Sequence, residues 1–266
     1  MPRSFKHWER MAEAREREER LHNTLFFALL AVGTVVFYIL HLNTSEKLEQ
    51  AILRRNWRKA KQIVEQCKRL PPTRGVSVLV EAIEAGASIE FITLLLVKGA
   101  GVNERSRDDW TPLHSAIFKS ASSEVIKLLI RHGADINART KCGSAPLHFA
   151  CGRNAKELVE LLLGCAGIQV NAINHQRETA LHWAAKANAL RAAQCLVRAG
   201  AKVELVNDKL ENAWMLAPSP QMRDLLRRAG VIQSVLLLLH RSPSVTRPAI
   251  SRLPRDLIRI LLRDYL

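Results

Sequence analysis

The stretch TPLHSA at residues 111–116 returns as APLHFA at 145–150 and as TALHWA at 179–184, so the same six positions recur every 34 residues. Asparagine residues that follow Val or Ile recur at the same spacing, at Asn103, Asn137 and Asn171. Self-similarity at a fixed period of this length is typical of an array of stacked structural units. Such arrays present extended surfaces rather than enclosed pockets, so the pattern favours binding over catalysis.

Each unit has the pattern of two short helices and a turn. Thr111 can cap the first helix, and Pro112 fits its first position, where a missing N–H is harmless. The Leu and the Ala of the motif then face the neighbouring unit. A second apolar helix follows at residues 125–130, and Gly133 supplies a left-handed residue that ends it. Two short helices cannot bury their apolar faces alone, so the units must stack.

These motifs closely resemble those of the ankyrin-repeat family. The segments that carry the resemblance are TPLHSA, IKLLIRHGADINA, APLHFACG, LVELLL, VNAIN and TALHWAAK. The resemblance implies an all-α solenoid of paired short helices with hairpin-like connecting loops. It also implies that the motif histidines, His114, His148 and His182, form hydrogen bonds between adjacent turns and are structural rather than catalytic.

Weaker copies extend the array in both directions. Upstream, one further unit carries Val80 where the others have His, and residues 47–66 have the helix–turn–helix pattern of a capping unit. Downstream, Trp214 and Ala217 take the Leu and Ala places, although nearby prolines shorten that helix. We therefore expect about six units across residues 46–230, the outer two degenerate.

An uncharged apolar segment precedes the array. Residues 24–42 read TLFFALLAVGTVVFYILHL, and as a helix they would span about 28 Å, close to the hydrocarbon thickness of a bilayer. The segment predicts a single N-terminal transmembrane helix after a charged arm at residues 1–23. A cleaved signal peptide is one alternative, although no small-residue cleavage motif follows. A helix packed on the repeats is the other.

The orientation of such an anchor cannot be read from its flanks, because six basic residues precede it and six more lie within residues 47–61. The five cysteines show neither a CxxC pair nor a zinc-finger spacing, which suits free thiols in a reducing compartment. We therefore expect a single-pass membrane protein whose repeats face the cytosol. The endoplasmic reticulum and the mitochondrial outer membrane are both open as the membrane.

Partner contacts are expected where the units differ from one another. In the ankyrin-repeat family such contacts lie on the loop tips and on the concave face of the first helices. Aromatic side chains there are often binding hot spots, which singles out Trp110 and Phe118. Carried onto this register, the positions are Arg107, Asp108, Trp110, Phe118 and Lys119; Lys141, Cys142, Ser144 and Arg153; His175, Gln176, Glu178 and Lys186; and Asp208, Lys209 and Glu211.

The charge of the chain predicts the chemistry of the partner. The net charge is +15, and the first 45 residues, with six basic and five acidic side chains, contribute little of it. Basic side chains at the expected contact positions would make the groove positive, which suits an acidic segment of another protein; solvated surface charge is the alternative. Nucleic acid is disfavoured because no base-reading helix or finger and no run of five like charges occurs.

After Gly230 the sequence leaves the repeat pattern, and residues 231–266 predict a helical tail. Its end resembles the second half of a SOCS box through an LPxxLxxxLL pattern, although Leu239 stands where that box has Cys. The resemblance implies recruitment of elongins B and C; a truncated F-box, which would recruit Skp1, fits the same residues. The alternative is a helical cap on the last repeat. The docking positions would be Leu253, Pro254, Leu257, Leu261 and Leu262.

Two functions of different classes follow from these patterns. The first is a membrane-anchored scaffold or adaptor that binds another protein through a basic concave groove. The second is a substrate-recognition subunit of a cullin-type ubiquitin ligase. An enzyme is not expected, because no Gly-rich phosphate loop, nucleophile elbow or paired-His metal motif occurs. No cofactor or metal is expected either.

Overall fold

The computed structural model describes residues 44–70, 77–106 and 108–241, with side-chain surroundings described as far as residue 234. The predicted charged arm at 1–23, the predicted transmembrane segment at 24–42 and the tail positions from Leu253 to Leu262 lie outside these ranges. Within the described ranges, no helix is both long and apolar enough to cross a bilayer.

Apart from two isolated β-bridges, all regular structure in the described ranges is helical. This confirms the prediction of an all-α fold made of short helices. The helices are α1 (described over 44–53), α2 (Trp57–Gln66), α3 (Val78–Glu84), α4 (Ile89–Val97), α5 (Pro112–Phe118), α6 (Ser123–Arg131), α7 (Pro146–Gly152), α8 (Lys156–Leu163), α9 (Ala180–Lys186), α10 (Leu190–Arg198) and α11 (Pro220–Arg241).

The chain divides into two compact units, residues 1–73 and residues 74–266. In the first unit, Asn56 caps α2 by accepting the backbone N–H of Lys59 at 3.1 Å. Leu48 and Ile52 of α1 and Val64 of α2 are buried. Each of the two helices therefore buries one apolar face.

Four helix pairs follow at regular intervals in the second unit. The first helices of the pairs, α3, α5, α7 and α9, begin at residues 78, 112, 146 and 180, and each contacts the next in order. The second helices, α4, α6, α8 and α10, each contact the first helix of their own pair. In addition, α4 contacts α6 and α8 contacts α10, so the pairs stack in two layers.

Leucine and alanine side chains fill the layer between the first helices. Because Ala adds only a methyl group to the backbone, neighbouring helices can approach closely at that position. The four leucines are at most 2% exposed and the four alanines are fully buried: Leu79, Leu113, Leu147 and Leu181, with Ala82, Ala116, Ala150 and Ala184.

The motif histidines link each unit to the next. In His148, Nδ1 accepts the backbone N–H of Ala145 at 3.1 Å, and Nε2 lies 3.0 Å from the carbonyl oxygen of Glu178. A backbone N–H can only donate, so Nδ1 carries no hydrogen and Nε2 is the donor to the carbonyl. His114 and His182 make the same pair of contacts, which is the structural role that the resemblance implies.

A second ladder runs through the loop asparagines. The side-chain amide of Asn137 donates to Gly167 O, and its oxygen accepts the backbone N–H of Gln169, both at 2.9 Å. Asn103 and Asn171 bind the equivalent loop of the following unit in the same way. The 34-residue recurrence of Asn therefore corresponds to one inter-unit bridge per repeat.

The array ends in a shortened unit. The bridge between Ile173 and Thr179 has its counterpart between Val206 and Asn212, 33 residues on. Residues 213–216 form only a turn before the prolines, and Trp214 is 42% exposed although the motif places Leu there. Ala217 is buried as the motif requires. Because the helical turns are missing here, the Trp214 side chain has no neighbouring helix to pack on.

The long helix α11 closes the second unit. It begins at Pro220, a residue suited to the first helical position, and runs without a break through Gly230 to Arg241. Ile232 is buried, and α11 contacts α10. The Gln233 side chain donates to Ala201 O at 2.6 Å and accepts the N–H of Val203 at 3.1 Å. This helix therefore satisfies backbone groups of the loop that precedes the shortened unit.

Candidate functional site

The predicted contact residues lie on four hairpin loops and at the ends of the first helices. Each loop is closed by a backbone hydrogen bond from one residue to the carbonyl four residues further on; the donors are Ser106, Thr140, Asn174 and Asn207. The residues between donor and acceptor form the loop tips.

Backbone hydrogen bonds also join neighbouring loop tips. They run from the N–H of Lys141 to Asp108 O, from His175 to Cys142 O and from Asp208 to Gln176 O, at 3.0 to 3.1 Å. The side chains of these six residues, and that of Lys209, are exposed. The loop tips thus form a continuous edge that presents variable side chains on a fixed backbone.

Beside this edge, four aromatic rings form a row across three units. Going along it, the ring centroids of Phe118 and Trp110 lie 5.0 Å apart, those of Trp110 and Phe149 4.9 Å, and those of Phe149 and Trp183 5.4 Å. These tilted and edge-on arrangements are the favourable ones for aromatic pairs. We call these four residues the aromatic row; within it, Phe118 is the most exposed at 42%.

The repeat itself positions these rings. Phe149 and Trp183 occupy the same motif position, two residues after the buried Leu. A Cβ on Gly152 would lie 2.9 Å from Cε3 of Trp183, so Trp183 lies directly over this glycine of the preceding unit. The close approach depends on the absence of a side chain there.

Arg153 lies at the Phe118 end of the row. Its guanidinium carbon is 5.4 Å from the centroid of the Phe118 ring, within cation–π range. Its Nε–H donates to Ser120 Oγ at 3.1 Å. The side chain is exposed but held at two points, so its orientation is defined in the absence of a partner.

The Trp183 end carries a fixed ion pair. Glu178 is 5% exposed and accepts hydrogen bonds from Nε1 of Trp183, at 3.0 Å, and from Lys186. Burial opposes ionisation of this carboxyl, but the bond and charge of Lys186 together with the Trp183 bond bring the pKa of Glu178 below its ordinary value. The carboxylate therefore stays charged and neutralises Lys186.

A polar cleft of about 370 Å³ lies beside this ion pair, between the last two hairpin loops. The structure thus brings together the contact positions that the sequence assigns to two successive units. The cleft is lined by Gln176, Glu178, Lys186, Asn207, Asp208, Lys209 and Glu211.

The positive charge of the surface is uneven. Lys186 is paired with Glu178. Lys119, Lys141 and Arg153 have no acidic partner within ion-pair distance in the part of the chain that the structure describes. The uncompensated cations therefore lie around Phe118 and on the neighbouring loop tip, whereas the cleft at the other end carries both signs.

The structure does not place every predicted position on this surface. Arg107 lies outside the described residues. Ser144 is only 2% exposed, because its carbonyl accepts the hydrogen bond of His114 inside the stack. Conversely, sequence reasoning left out Phe149, Trp183 and Ser120. The shared motif position of the first two was a usable signal, whereas the contact of Ser120 with Arg153 joins two units and has no local signature.

The cysteines and the motif histidines form no separate chemical centre in the described part of the chain, where no group of three or more His, Cys, Asp or Glu is placed to hold a metal ion. The described cysteines are free thiols. Burial raises the pKa of the Cys151 thiol far above its ordinary value, so this thiol stays protonated.

Comparison with known proteins gives one family. A family model described as ankyrin repeats matches residues 48–140 and 118–207, in three copies. The two matched stretches together cover more than half of the chain and include the first three loop tips and the aromatic row. No curated protein is similar enough to the chain to match in a sequence comparison.

Proposed function

This chain belongs to the ankyrin-repeat family, whose repeats are protein–protein interaction modules, and we propose that it is a scaffold or adaptor that binds an acidic segment of another protein. The segment would lie in the groove formed by the loop-tip edge and the ends of the first helices. One observation carries the proposal: uncompensated cations stand beside an exposed aromatic ring on this surface. Cations complementary to a partner raise its association rate and select against basic partners.

The partner experiment compares surface variants with a charge-matched control. Proximity labelling from the repeat body identifies neighbours, and pull-down then quantifies them for Phe118→Ala with Lys141→Ala. Both residues are exposed, so the fold is retained. The control is Lys202→Ala with Val231→Ala, which likewise removes one exposed cation and one exposed apolar side chain, away from the aromatic row. Recovery of the partner should fall several-fold for Phe118→Ala with Lys141→Ala and stay unchanged for the control. Equal recovery from both double variants would contradict the proposal.

We further propose that residues 24–42 anchor the protein in a membrane with the repeats in the cytosol. The support is the length and apolar character of this segment and the free thiols of the repeats. Protease added to intact microsomes and mitochondria should digest the repeats and leave a short protected fragment. Full protection of the repeats would reverse the orientation, and extraction by carbonate would show that the segment does not span the bilayer.

The second candidate function is a substrate receptor of a cullin-type ubiquitin ligase. The observation in its favour is the LPxxLxxxLL pattern at Leu253 to Leu262. A truncation after Arg241 tests it better than removal of the whole tail from residue 231, because Ile232 and Gln233 contribute to the repeat array. Loss of elongins B and C, or of Skp1, from the truncated protein would favour this function. Their absence from the intact protein would leave the scaffold function alone.

A further inference from the structure

We infer that Arg153, Ser120 and Phe118 form a preorganised corner that binds a carboxylate beside a bulky apolar side chain. The corresponding partner segment is linear and carries Asp or Glu adjacent to an aromatic or large aliphatic residue. The inference rests on the proposed protein-binding function and specifies the chemistry of its ligand.

The first argument is the hydrogen-bonding capacity of Arg153. Its Nε–H is occupied by Ser120. Within the described residues its two Nη groups have no partner. These groups carry four N–H donors in one plane, the arrangement that binds both oxygens of a carboxylate at once. Lysine offers no such fork, so the site is suited to a carboxylate by geometry as well as by charge.

The second argument is the backbone at Ser120. Its φ is +55°, in the left-handed region that favours glycine and tolerates asparagine. The equivalent positions of the other units are Gly86, Asn154 and Asn188, each also with positive φ. Ser120 is thus the residue least suited to this conformation among the four. Its hydroxyl accepts the Arg153 Nε–H. Glycine or alanine at this position would have no side-chain atom to accept that hydrogen bond.

The third argument is the apolar side of the corner. Phe118 exposes part of its ring to solvent, while Trp110 packs edge-on against it at 5.0 Å. Phe149 packs in turn against Trp110. A ring fixed in this way offers a partner side chain contact area with little loss of conformational entropy. Lys119, which is exposed and without an acidic partner among the described residues, adds positive charge at the same corner.

The experiment uses the full-length chain, solubilised in mild detergent, to select binders from a displayed library of random peptides. The enriched peptides are synthesised with a fluorophore, and their affinities are measured by anisotropy. We expect enrichment of Asp or Glu next to Phe, Trp, Leu or Met. Arg153→Ala and Arg153→Lys should each weaken binding about 10-fold or more, because a bidentate charged hydrogen bond is lost in both.

Ser120→Gly provides the most specific readout. Glycine relieves the positive φ, so the thermal midpoint should rise, while the loss of the Nε–H acceptor should weaken peptide binding about 2- to 10-fold. A purely structural role for Ser120 would not separate stability from affinity in this way. The matched control is Asn154→Gly, at the equivalent position of the next unit, which should leave peptide affinity unchanged.

Three outcomes overturn the inference. Enriched peptides that lack acidic residues, or that bind Arg153→Ala as tightly as the wild type, would place peptide binding elsewhere and leave the proposed protein-binding function intact. Absence of any enriched peptide would contradict a linear ligand. In that case the proximity-labelled partners would decide the protein-binding function separately.

Discussion

At the scale of single residues, the motif histidines are held in the neutral form. The pKa of His114 is lowered from its ordinary 6.5 to about 4, mainly by burial and in part by the nearby charge of Arg105, against the opposing effect of the hydrogen bond to Ser144. Burial lowers the pKa of His148 and His182 as well. Protonation of Nδ1 would turn an acceptor into a donor facing a backbone N–H.

This predicts acid sensitivity of the repeat array. Between about pH 6.5 and pH 4, the His114 imidazole binds a proton in the unfolded chain but not in the folded protein. The contribution of His114 to the free energy of unfolding is therefore complete above pH 6.5 and decreases as the pH falls through this window. For His114 alone the decrease is roughly 3 kcal/mol. Denaturant unfolding across this range, with NMR titration of the imidazoles, measures it. A free energy of unfolding that stays constant down to pH 5 would contradict the prediction.

A second residue-scale prediction concerns Gly152. In Gly152→Ala the new Cβ would lie 2.9 Å from Trp183, whose indole is also held by Glu178, so the ring must shift. We expect a destabilisation of about 1–3 kcal/mol and altered tryptophan fluorescence. The control is Gly164→Ala, whose Cβ would lie 3.5 Å from the carbonyl oxygens of Glu160 and Leu161, an ordinary contact, at a position with negative φ. It should be neutral or stabilising; equal effects of both substitutions would refute the packing argument.

At the scale of elements, α11 differs from every other helix of the second unit in length and in role. Its Gln233 supplies two hydrogen bonds to the backbone at Ala201 and Val203. The last Asn of the ladder, Asn171, binds Gly200 O and the N–H of Lys202 in the same loop, which leaves Ala201 and Val203 to Gln233. The helix therefore completes the array at this end.

Gln233→Ala should destabilise the protein by about 1–3 kcal/mol, because two partly buried backbone groups lose their partners. Amide hydrogen exchange should quicken at Val203 in particular. The control is Gln221→Ala, an exposed position in the first turn of the same helix, with a change of only a few tenths of a kcal/mol. If Val203 exchanges equally slowly in both variants, Gln233 does not perform this role.

Sequence reasoning succeeded on elements whose pattern is local and failed where packing decides. The first helices and their buried Leu and Ala could be predicted from the motif, since each first helix forms within one unit and packs against the first helix of the next. Trp214 also has the right spacing but remains exposed, because the prolines after it remove the helix that would bury it. Gln233 lies in a segment without repeat character, so nothing local indicated its partners.

At the scale of the whole molecule, the array was predictable and the detailed surface was not. The 34-residue period is enough to place the loop tips in a row, since successive units have the same structure. The pairing of Lys186 with Glu178, the burial of Ser144 and the contact of Arg153 with Ser120 depend on side chains that meet only after the units have stacked. The charge of a groove therefore cannot be counted from its basic residues alone.

The asparagine bridges have a mechanical consequence. Each joins a loop only to its counterpart in the following unit, so tension applied along the chain is resisted one junction at a time. Pulled from its ends, the second unit should lengthen in discrete steps, each releasing one 34-residue repeat, or about 120 Å of extended chain. Such a protein would extend stepwise under a force applied between its two ends.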